Sequence, residues 1–156
     1  MALQLRWAEP CADPRWNDLG GKLELNGRGV IEMSPANNRH GIRQGAILLA
    51  LSKALPQGTP IVECSVLTAD GIHAPDVGWA SAAFMADYGE ESSFRAAPEL
   101  CVEVRSPSNT DVEMAHKTAL YLEAGAIEAW IVEEDGARQV LDRDGPRSDI
   151  LLAVAG

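Results

Sequence analysis

The chain contains only three cysteines, and no two of them form a C-x-x-C pair. Cys11, Cys64 and Cys101 are far apart and odd in number, which argues against a zinc knuckle and against a disulfide framework. We therefore predict three free thiols, mostly buried, in a protein of the reducing cytoplasm.

Long apolar runs are also missing from the sequence. No window approaches the roughly 18 apolar residues that a membrane-spanning helix requires. The first residues, MALQLRWAEPCADP, contain a charge and prolines where a signal peptide needs an apolar segment. These absences predict a cytoplasmic protein without a membrane partner.

Positive charge is scarce, because 13 lysine and arginine residues face 23 acidic residues and the formal net charge is −10. Nucleic-acid-binding proteins normally carry a basic surface, since the release of counterions from phosphate drives their affinity. Any role on DNA therefore requires a local basic patch, metal ions that bridge to phosphate, or a partner protein. The four tryptophans are scattered and do not predict a base-stacking surface.

The length of 156 residues predicts one domain, residues 1–156, which can bury a core without disulfides or a structural metal. Alternating polarity around Asn26-Gly27 predicts a hairpin over 22–34. Apolar residues at helical spacing predict a helix over 37–55 with an asparagine cap at its start, at Asn37 or Asn38.

The second half of the chain alternates further strands with one more helix. The predicted elements are strands over 61–68, 76–80 and 99–105, a loop with a short helical turn over 84–98, a helix that begins at the capping box of Thr110 and Glu113 and ends at Gly125, and a hairpin around Asp135-Gly136. This order predicts a mixed α/β (α+β) domain with one sheet flanked by helices.

Two carboxylates stand on predicted strands where charge is unusual. Asp76 directly follows a proline and is the first residue of a predicted strand. Glu103 lies inside the next predicted strand, whose other face is apolar. If the strands are neighbours, the carboxylates converge, and two close carboxylates repel each other unless a cation lies between them. Mg²⁺ and Mn²⁺ prefer such oxygen ligands, and the backbone carbonyl of Val104 is a further candidate ligand.

Phosphoryl-transfer chemistry at such a metal also requires a positive group near the phosphate. Lys117 is one candidate, on the helix that follows the strand of Glu103, and Arg105 is another, two residues from Glu103 on the same strand face. His40, near the start of the first long helix, is a candidate metal ligand or phosphate contact.

These residues lie in segments that carry a family resemblance. The segments PDV, PELCVEVRSPSNTD and HKTALYLEAGAIEAWIVEEDG, together with the hairpin LELNGRGVIEMSPANNRHG, resemble the Uma-two family of putative restriction endonucleases. That family is a branch of the PD-(D/E)XK nuclease superfamily, and the resemblance covers roughly residues 15–142. It implies a restriction-endonuclease-like fold.

The resemblance also implies functional residues. Asp76 and Glu103 would be the metal ligands, and Lys117 would be the catalytic lysine, moved from the strand to the helix. His40 and Glu24 match polar positions of the family's N-terminal half and would extend the site. Arg105 departs from the superfamily pattern, which has lysine at this position; arginine can stabilise charge but cannot act as a base.

The leading hypothesis is an endonuclease that uses Mg²⁺ or Mn²⁺ to hydrolyse DNA, with a homodimer accounting for cleavage of both strands. One alternative is a catalytically inactive binding or regulatory module in which Glu103 forms a structural salt bridge with Arg105 or Lys117. A second alternative is a metal-dependent hydrolase of another phosphate ester. His73 and His116 belong to no recognisable constellation.

Overall fold

The computed structural model describes residues 2–16, 18, 20–35, 37–143 and 145–146. The helices are α1 (Ala2–Ala12), α2 (Asn38–Ala54), α3 (Ala82–Tyr88) and α4 (Asp111–Glu123), with a 3-10 turn at Pro14–Trp16. The strands are β1 (Lys22–Asn26), β2 (Ile31–Ser34), β3 (Thr59–Val62), β4 (Val66–Thr68), β5 (Gly71–His73), β6 (Val77–Ala80), β7 (Leu100–Val104), β8 (Glu128–Val132), β9 (Arg138–Asp142) and β10 (Gly145–Pro146). Among these residues, no helix has the length and apolar character needed to cross a membrane.

The strands form two sheets rather than the single sheet expected. A four-stranded antiparallel sheet has the order β2-β1-β5-β4, and a six-stranded sheet has the order β10-β9-β8-β7-β6-β3. In the larger sheet β7 and β8 are parallel, and α4 supplies the crossover that such a pair requires. The predicted class, a mixed sheet flanked by helices, is confirmed.

β7 lies inside the six-stranded sheet and is buried on both faces. On one face Leu100 and Val102 pack in an apolar cluster that includes Leu51 of α2. On the other face Cys101 packs in a cluster that includes Tyr121 of α4. A charged side chain on this strand therefore lies in the interior, where it is costly unless it has polar partners.

The predicted hairpin over 22–34 is confirmed, because β1 and β2 pair antiparallel along their length. Its loop is longer than a two-residue Asn-Gly turn. The Asn26 side chain accepts hydrogen bonds from the N–H groups of Arg28 and Val30, each at 3.0 Å, and so closes the loop. The helix predicted over 37–55 is α2, and Asn37 is its N-cap, accepting from the backbone of Arg39.

The signals around the last helix are confirmed too. Thr110 and Glu113 form both bonds of a capping box at the start of α4. Gly125 follows the helix with φ of +119°, the positive region that favours glycine at this position. The hairpin of β8 and β9 turns at Asp135-Gly136 as predicted.

The strand predicted over 61–68 is wrong. The chain instead forms β3 and β4, which belong to different sheets. Glu63 adopts φ of +50°, an uncommon conformation for a residue with a side chain, where the chain leaves one sheet for the other. The segment predicted as a turn after 68 contains β5, and Gly71 allows it to approach the Leu25 carbonyl of β1, because any Cβ there would overlap this oxygen.

Candidate functional site

The pairing of β6 with β7 brings Asp76 beside Glu103. The two strands are antiparallel neighbours with Val77 opposite Val102, and Asp76 directly precedes β6. Both carboxylates are almost fully buried, at 1% and 3% exposure. The Asp76 Oδ2 atom accepts a hydrogen bond of 2.7 Å from the Val104 N–H, which fixes this carboxylate against the end of β7.

Two residues of β1 enter the same space from the other sheet. Lys22 and Glu24 are two positions apart and therefore lie on one face of the strand. The Lys22 Nζ atom donates to Asp76 Oδ1 at 2.8 Å and to the Ala74 carbonyl at 2.9 Å, and it lies 3.6 Å from Glu103 Oε2. Glu24 accepts the Ala74 N–H at 2.9 Å, so both side chains bind the backbone just before Asp76.

The helix α4 contributes Lys117 and Tyr121, which are one turn apart on the same face. The Lys117 Nζ atom lies 2.9 Å from each Glu24 oxygen and 3.7 Å from Glu103 Oε1. The Tyr121 hydroxyl donates a 2.6 Å hydrogen bond to Glu103 Oε1 and is itself fully buried. The helix thus provides both a cation and a neutral donor to the carboxylates.

The helix α2 contributes His40 and Gln44, again one turn apart. The His40 Nε2 atom lies 3.1 Å from Asp76 Oδ1, and its Nδ1 atom lies 3.3 Å from the Ser106 hydroxyl. The Gln44 amide donates to the Asp76 carbonyl at 2.7 Å. We call the residues joined by these contacts the ionic cluster: Lys22, Glu24, His40, Asp76, Glu103, Lys117 and Tyr121.

Burial and charge shift the pKa values of the cluster in opposite directions. Burial raises the pKa of Glu103 to about 7, opposed by the Lys22 ammonium. Burial would also raise the pKa of Asp76, but the hydrogen bond to His40 and the charge of Lys22 hold it well below its usual range. The hydrogen bond to Asp76 raises the pKa of His40. Two neighbouring carboxylates with different proton affinities result.

The pKa values of Glu24 and Lys22, both on β1, are also shifted by burial and by neighbouring charges. Despite burial, the ammonium groups of Lys117 and Lys22 lower the pKa of Glu24. Burial would lower the pKa of Lys22, but the charges of Glu103 and Asp76 raise it above its ordinary value. The neighbouring carboxylates therefore favour the protonated ammonium form of Lys22.

A cleft of about 640 Å³ opens beside the cluster, and His40 and Val104 form part of its wall. Three arginines line the same cleft: Arg39, Arg43 and Arg105. The Arg43 guanidinium donates to the Glu134 carbonyl at 2.6 Å, whereas Arg39 is exposed. Glu134 lines the cleft as well, so the three arginines and an acidic residue lie together beside the carboxylates.

Of the predicted site residues, the structure brings Asp76, Glu103, Lys117, His40 and Glu24 into the ionic cluster. Arg105 lies outside it. Its guanidinium binds Glu133 at 2.9 Å and Asp111 at 3.0 Å on the cleft wall.

Sequence reasoning missed Lys22, Tyr121 and Gln44 as members of the site or its support. The two signals available were spacings: Lys22 is two residues from Glu24 on a strand, and Tyr121 is four residues from Lys117 on a helix. His73 and His116 lie at the margin, where His73 Nδ1 is 3.9 Å from Glu24 and His116 pairs with Asp70.

The family model Uma2, described as "Putative restriction endonuclease", matches residues 13–150. The chain belongs to the Uma2 family. This membership supports a nuclease function in general terms. A comparison with curated proteins found no significant match.

The Uma2 chain also resembles a solved structure. It superposes on the 1.96 Å crystal structure of a "putative nuclease belonging to DUF820" from Anabaena variabilis ATCC 29413 with a TM-score of 0.66 and 16% sequence identity. The match covers 85% of this chain and 83% of that chain. At this identity the likeness concerns the fold alone, and the predicted restriction-endonuclease-like fold is confirmed.

Restriction-endonuclease-like families generally use divalent metals, and the donor atoms of the Uma2 cluster fit such an ion. Carboxylate oxygens, here those of Asp76 and Glu103, are ligands that Mg²⁺ and Mn²⁺ prefer. Asp76 Oδ1 and Glu103 Oε2 already share one cation, the Lys22 ammonium. In the described ranges no group of three or more His, Cys, Asp and Glu side chains is arranged to hold a metal.

Proposed function

We propose that this Uma2 protein is a metal-dependent endonuclease that hydrolyses phosphodiester bonds in DNA. The observation that carries the proposal is the convergence of Asp76 and Glu103 from neighbouring strands onto one cation-binding position, with Lys117 beside them. A buried acidic pair and a lysine next to an open cleft suit phosphodiester hydrolysis, in which negative charge accumulates on phosphate.

In this proposal Asp76 and Glu103 hold Mg²⁺ or Mn²⁺, with His40 as a further ligand. When bound, the ion supplies an activated water and offsets charge on the scissile phosphate. Glu24 binds the Lys117 ammonium through both of its oxygens and so aims it at the cluster. Lys117 then orients the attacking water or stabilises the developing negative charge.

The substrate proposal rests on local rather than net charge. The chain as a whole is acidic, yet Arg39, Arg43 and Arg105 line the cleft beside His40. Their guanidinium groups suit phosphate oxygens, and Arg105 is proposed as a phosphate contact once substrate competes with Glu133 and Asp111. Since one such site cuts one strand, we further propose that a homodimer in the cytoplasm makes double-strand breaks.

Cleavage of supercoiled plasmid in the presence of Mn²⁺ tests the proposal. We expect Asp76→Asn and Glu103→Gln to slow nicking by about 10³-fold or more, since losing about 4 kcal/mol of transition-state stabilisation has this effect. Glu123→Gln is the matched control, because Glu123 is an exposed acid at the end of α4. Equal nicking by all four proteins would show that Asp76 and Glu103 do not carry the activity.

A non-catalytic binding module is the second candidate function, and one observation favours it. The ammonium groups of Lys22 and Lys117 already neutralise much of the buried acidic charge without any metal. A module of this kind predicts that wild-type protein binds duplex DNA but leaves it intact at every Mn²⁺ concentration. The same plasmid assay, run with a parallel binding measurement, separates the two functions.

A further inference from the structure

The ammonium group of Lys22 occupies an unusual position for a lysine. Its side chain is only 11% exposed, and the Nζ atom is surrounded by three oxygens. These are the Ala74 carbonyl at 2.9 Å, Asp76 Oδ1 at 2.8 Å and Glu103 Oε2 at 3.6 Å. A buried ammonium is costly unless such oxygens replace its water shell, so the charge is bound here specifically.

The other carboxylate oxygens of this pair are already engaged. Asp76 Oδ2 accepts the Val104 N–H at 2.7 Å, and Glu103 Oε1 accepts the Tyr121 hydroxyl at 2.6 Å. The two remaining oxygens, Asp76 Oδ1 and Glu103 Oε2, are those nearest the Lys22 ammonium, and Asp76 Oδ1 also lies 3.1 Å from His40 Nε2. An ion that bridges Asp76 and Glu103 through the oxygens without these donors would use the same two oxygens as the Lys22 ammonium.

An ammonium and a divalent ion bound to the same two oxygens would lie a few ångströms apart, and like charges at that distance repel strongly in a buried site. We propose that Lys22 competes with the divalent ion, so that metal binding is an exchange in which the Lys22 ammonium leaves Asp76 and Glu103. The proposal rests on the proposed function in assuming that these two carboxylates hold the metal.

Competition makes a quantitative prediction for metal affinity. If the ammonium holds the position nine-tenths of the time or more, the apparent dissociation constant of the metal is raised about tenfold or more. Lys22→Met removes the ammonium and keeps an unbranched side chain of similar length. Lys53→Met, at the exposed end of α2, removes one positive charge from the chain and serves as the matched control.

Isothermal titration with Mn²⁺ measures the difference directly. We expect Lys22→Met to bind Mn²⁺ at least about tenfold more tightly than wild type, whereas Lys53→Met should match wild type within a small factor. Binding by Lys22→Met alone, with none by wild type, would also support the proposal. Equal affinity in all three proteins would overturn the competition and leave the metal-dependent function standing. Absence of Mn²⁺ binding in all three would overturn both.

A second measurement uses wild-type protein and does not depend on whether Lys22→Met folds. The chain has three lysines, Lys22, Lys53 and Lys117, so acetylation of each can be followed by mass spectrometry. We expect Lys22 to be protected without metal and to react at a rate approaching that of Lys53 when Mn²⁺ is saturating. Protection of Lys22 that persists in the Mn²⁺-bound protein would overturn the exchange.

Discussion

Removing the hydroxyl of Tyr121 tests the buried polar network of the ionic cluster. In Tyr121→Phe, Glu103 Oε1 loses its 2.6 Å donor, and among the described residues it keeps only the Lys117 ammonium at 3.7 Å. Both Tyr121 and Glu103 are almost fully buried, so water cannot replace the lost bond. A hydrogen bond to a charged group contributes about 1.5–3 kcal/mol to the stability of the fold. Leaving a buried acceptor without its donor lowers the stability by about the same amount.

We therefore expect the free energy of unfolding of Tyr121→Phe to fall by about 2 kcal/mol, with a Tm lower by about 4–8 °C. Urea denaturation gives the first value, provided that the slope m is the same as in wild type. The measurement belongs at pH 8, above the pKa of Glu103 of about 7, so that the acceptor is mainly the carboxylate.

The only other tyrosine in the chain provides a matched control. Tyr88 is half-buried and packs against Phe84, and in the described part of the chain its hydroxyl makes no side-chain hydrogen bond. Tyr88→Phe should change the free energy of unfolding by less than about 0.5 kcal/mol. If Tyr121→Phe changes the free energy of unfolding as little as Tyr88→Phe does, the Tyr121 hydroxyl does not bind the Glu103 carboxylate.

Three further predictions concern other parts of the molecule. Thr110→Ala removes the side chain that caps α4, so urea denaturation should show a loss of about 1 kcal/mol; no loss would mean that the cap is not formed. Cys11 is exposed, whereas burial raises the pKa of Cys64 to about 12 and that of Cys101 well above its usual range. Native protein should therefore show one reactive thiol with Ellman's reagent and three after unfolding, and three in the native state would contradict this burial. Arg39→Gln should reduce the salt dependence of DNA affinity, measured by anisotropy in EDTA, by about 0.9 in log–log slope if it contacts one phosphate, and an unchanged slope would exclude that contact.

The elements that sequence reasoning predicts well are those with chemical signals at their own ends. Thr110 and Glu113 specify the start of α4 through two hydrogen bonds within four residues. Asn37 does the same for α2, and Asp135-Gly136 for the last hairpin. Each signal depends only on neighbours along the chain, so no knowledge of the tertiary structure is needed.

The division of the sheet depends instead on contacts between distant residues. Glu63 has a positive φ, although no glycine or asparagine marks the end of a strand at this position. β5 forms only because β1 and β4 lie on either side of it. Ile72 pairs with Leu25, far away in the sequence. Hydrophobic periodicity over 61–68 cannot reveal such a partner, and it therefore predicts one continuous strand.

The candidate site shows the same contrast. The sequence predicts the approach of Asp76 and Glu103 on the condition that their strands are neighbours, and β6 and β7 are neighbours in the structure. Lys22 reaches them from a different sheet, 54 positions before Asp76, so only the fold reveals the contact. The single local hint was the alternation of Lys22 with Glu24 on β1, which is ordinary for an exposed hairpin strand.

Charge balance connects the metal proposal to the acidic character of the chain. Two of its three lysines, Lys22 and Lys117, contact the three buried carboxylates of Glu24, Asp76 and Glu103. Above the pKa values of Glu103 and His40, where all three acids are ionised and the imidazole is neutral, the cluster carries one excess negative charge. Adding a divalent ion while both ammonium groups remained would reverse the sign of this charge in a largely buried site. Replacing one ammonium by the ion would make the cluster neutral. Because burying uncompensated charge is costly, this balance favours exchange over addition, and Lys22, which contacts Asp76 and lies near Glu103, is the ammonium placed to leave.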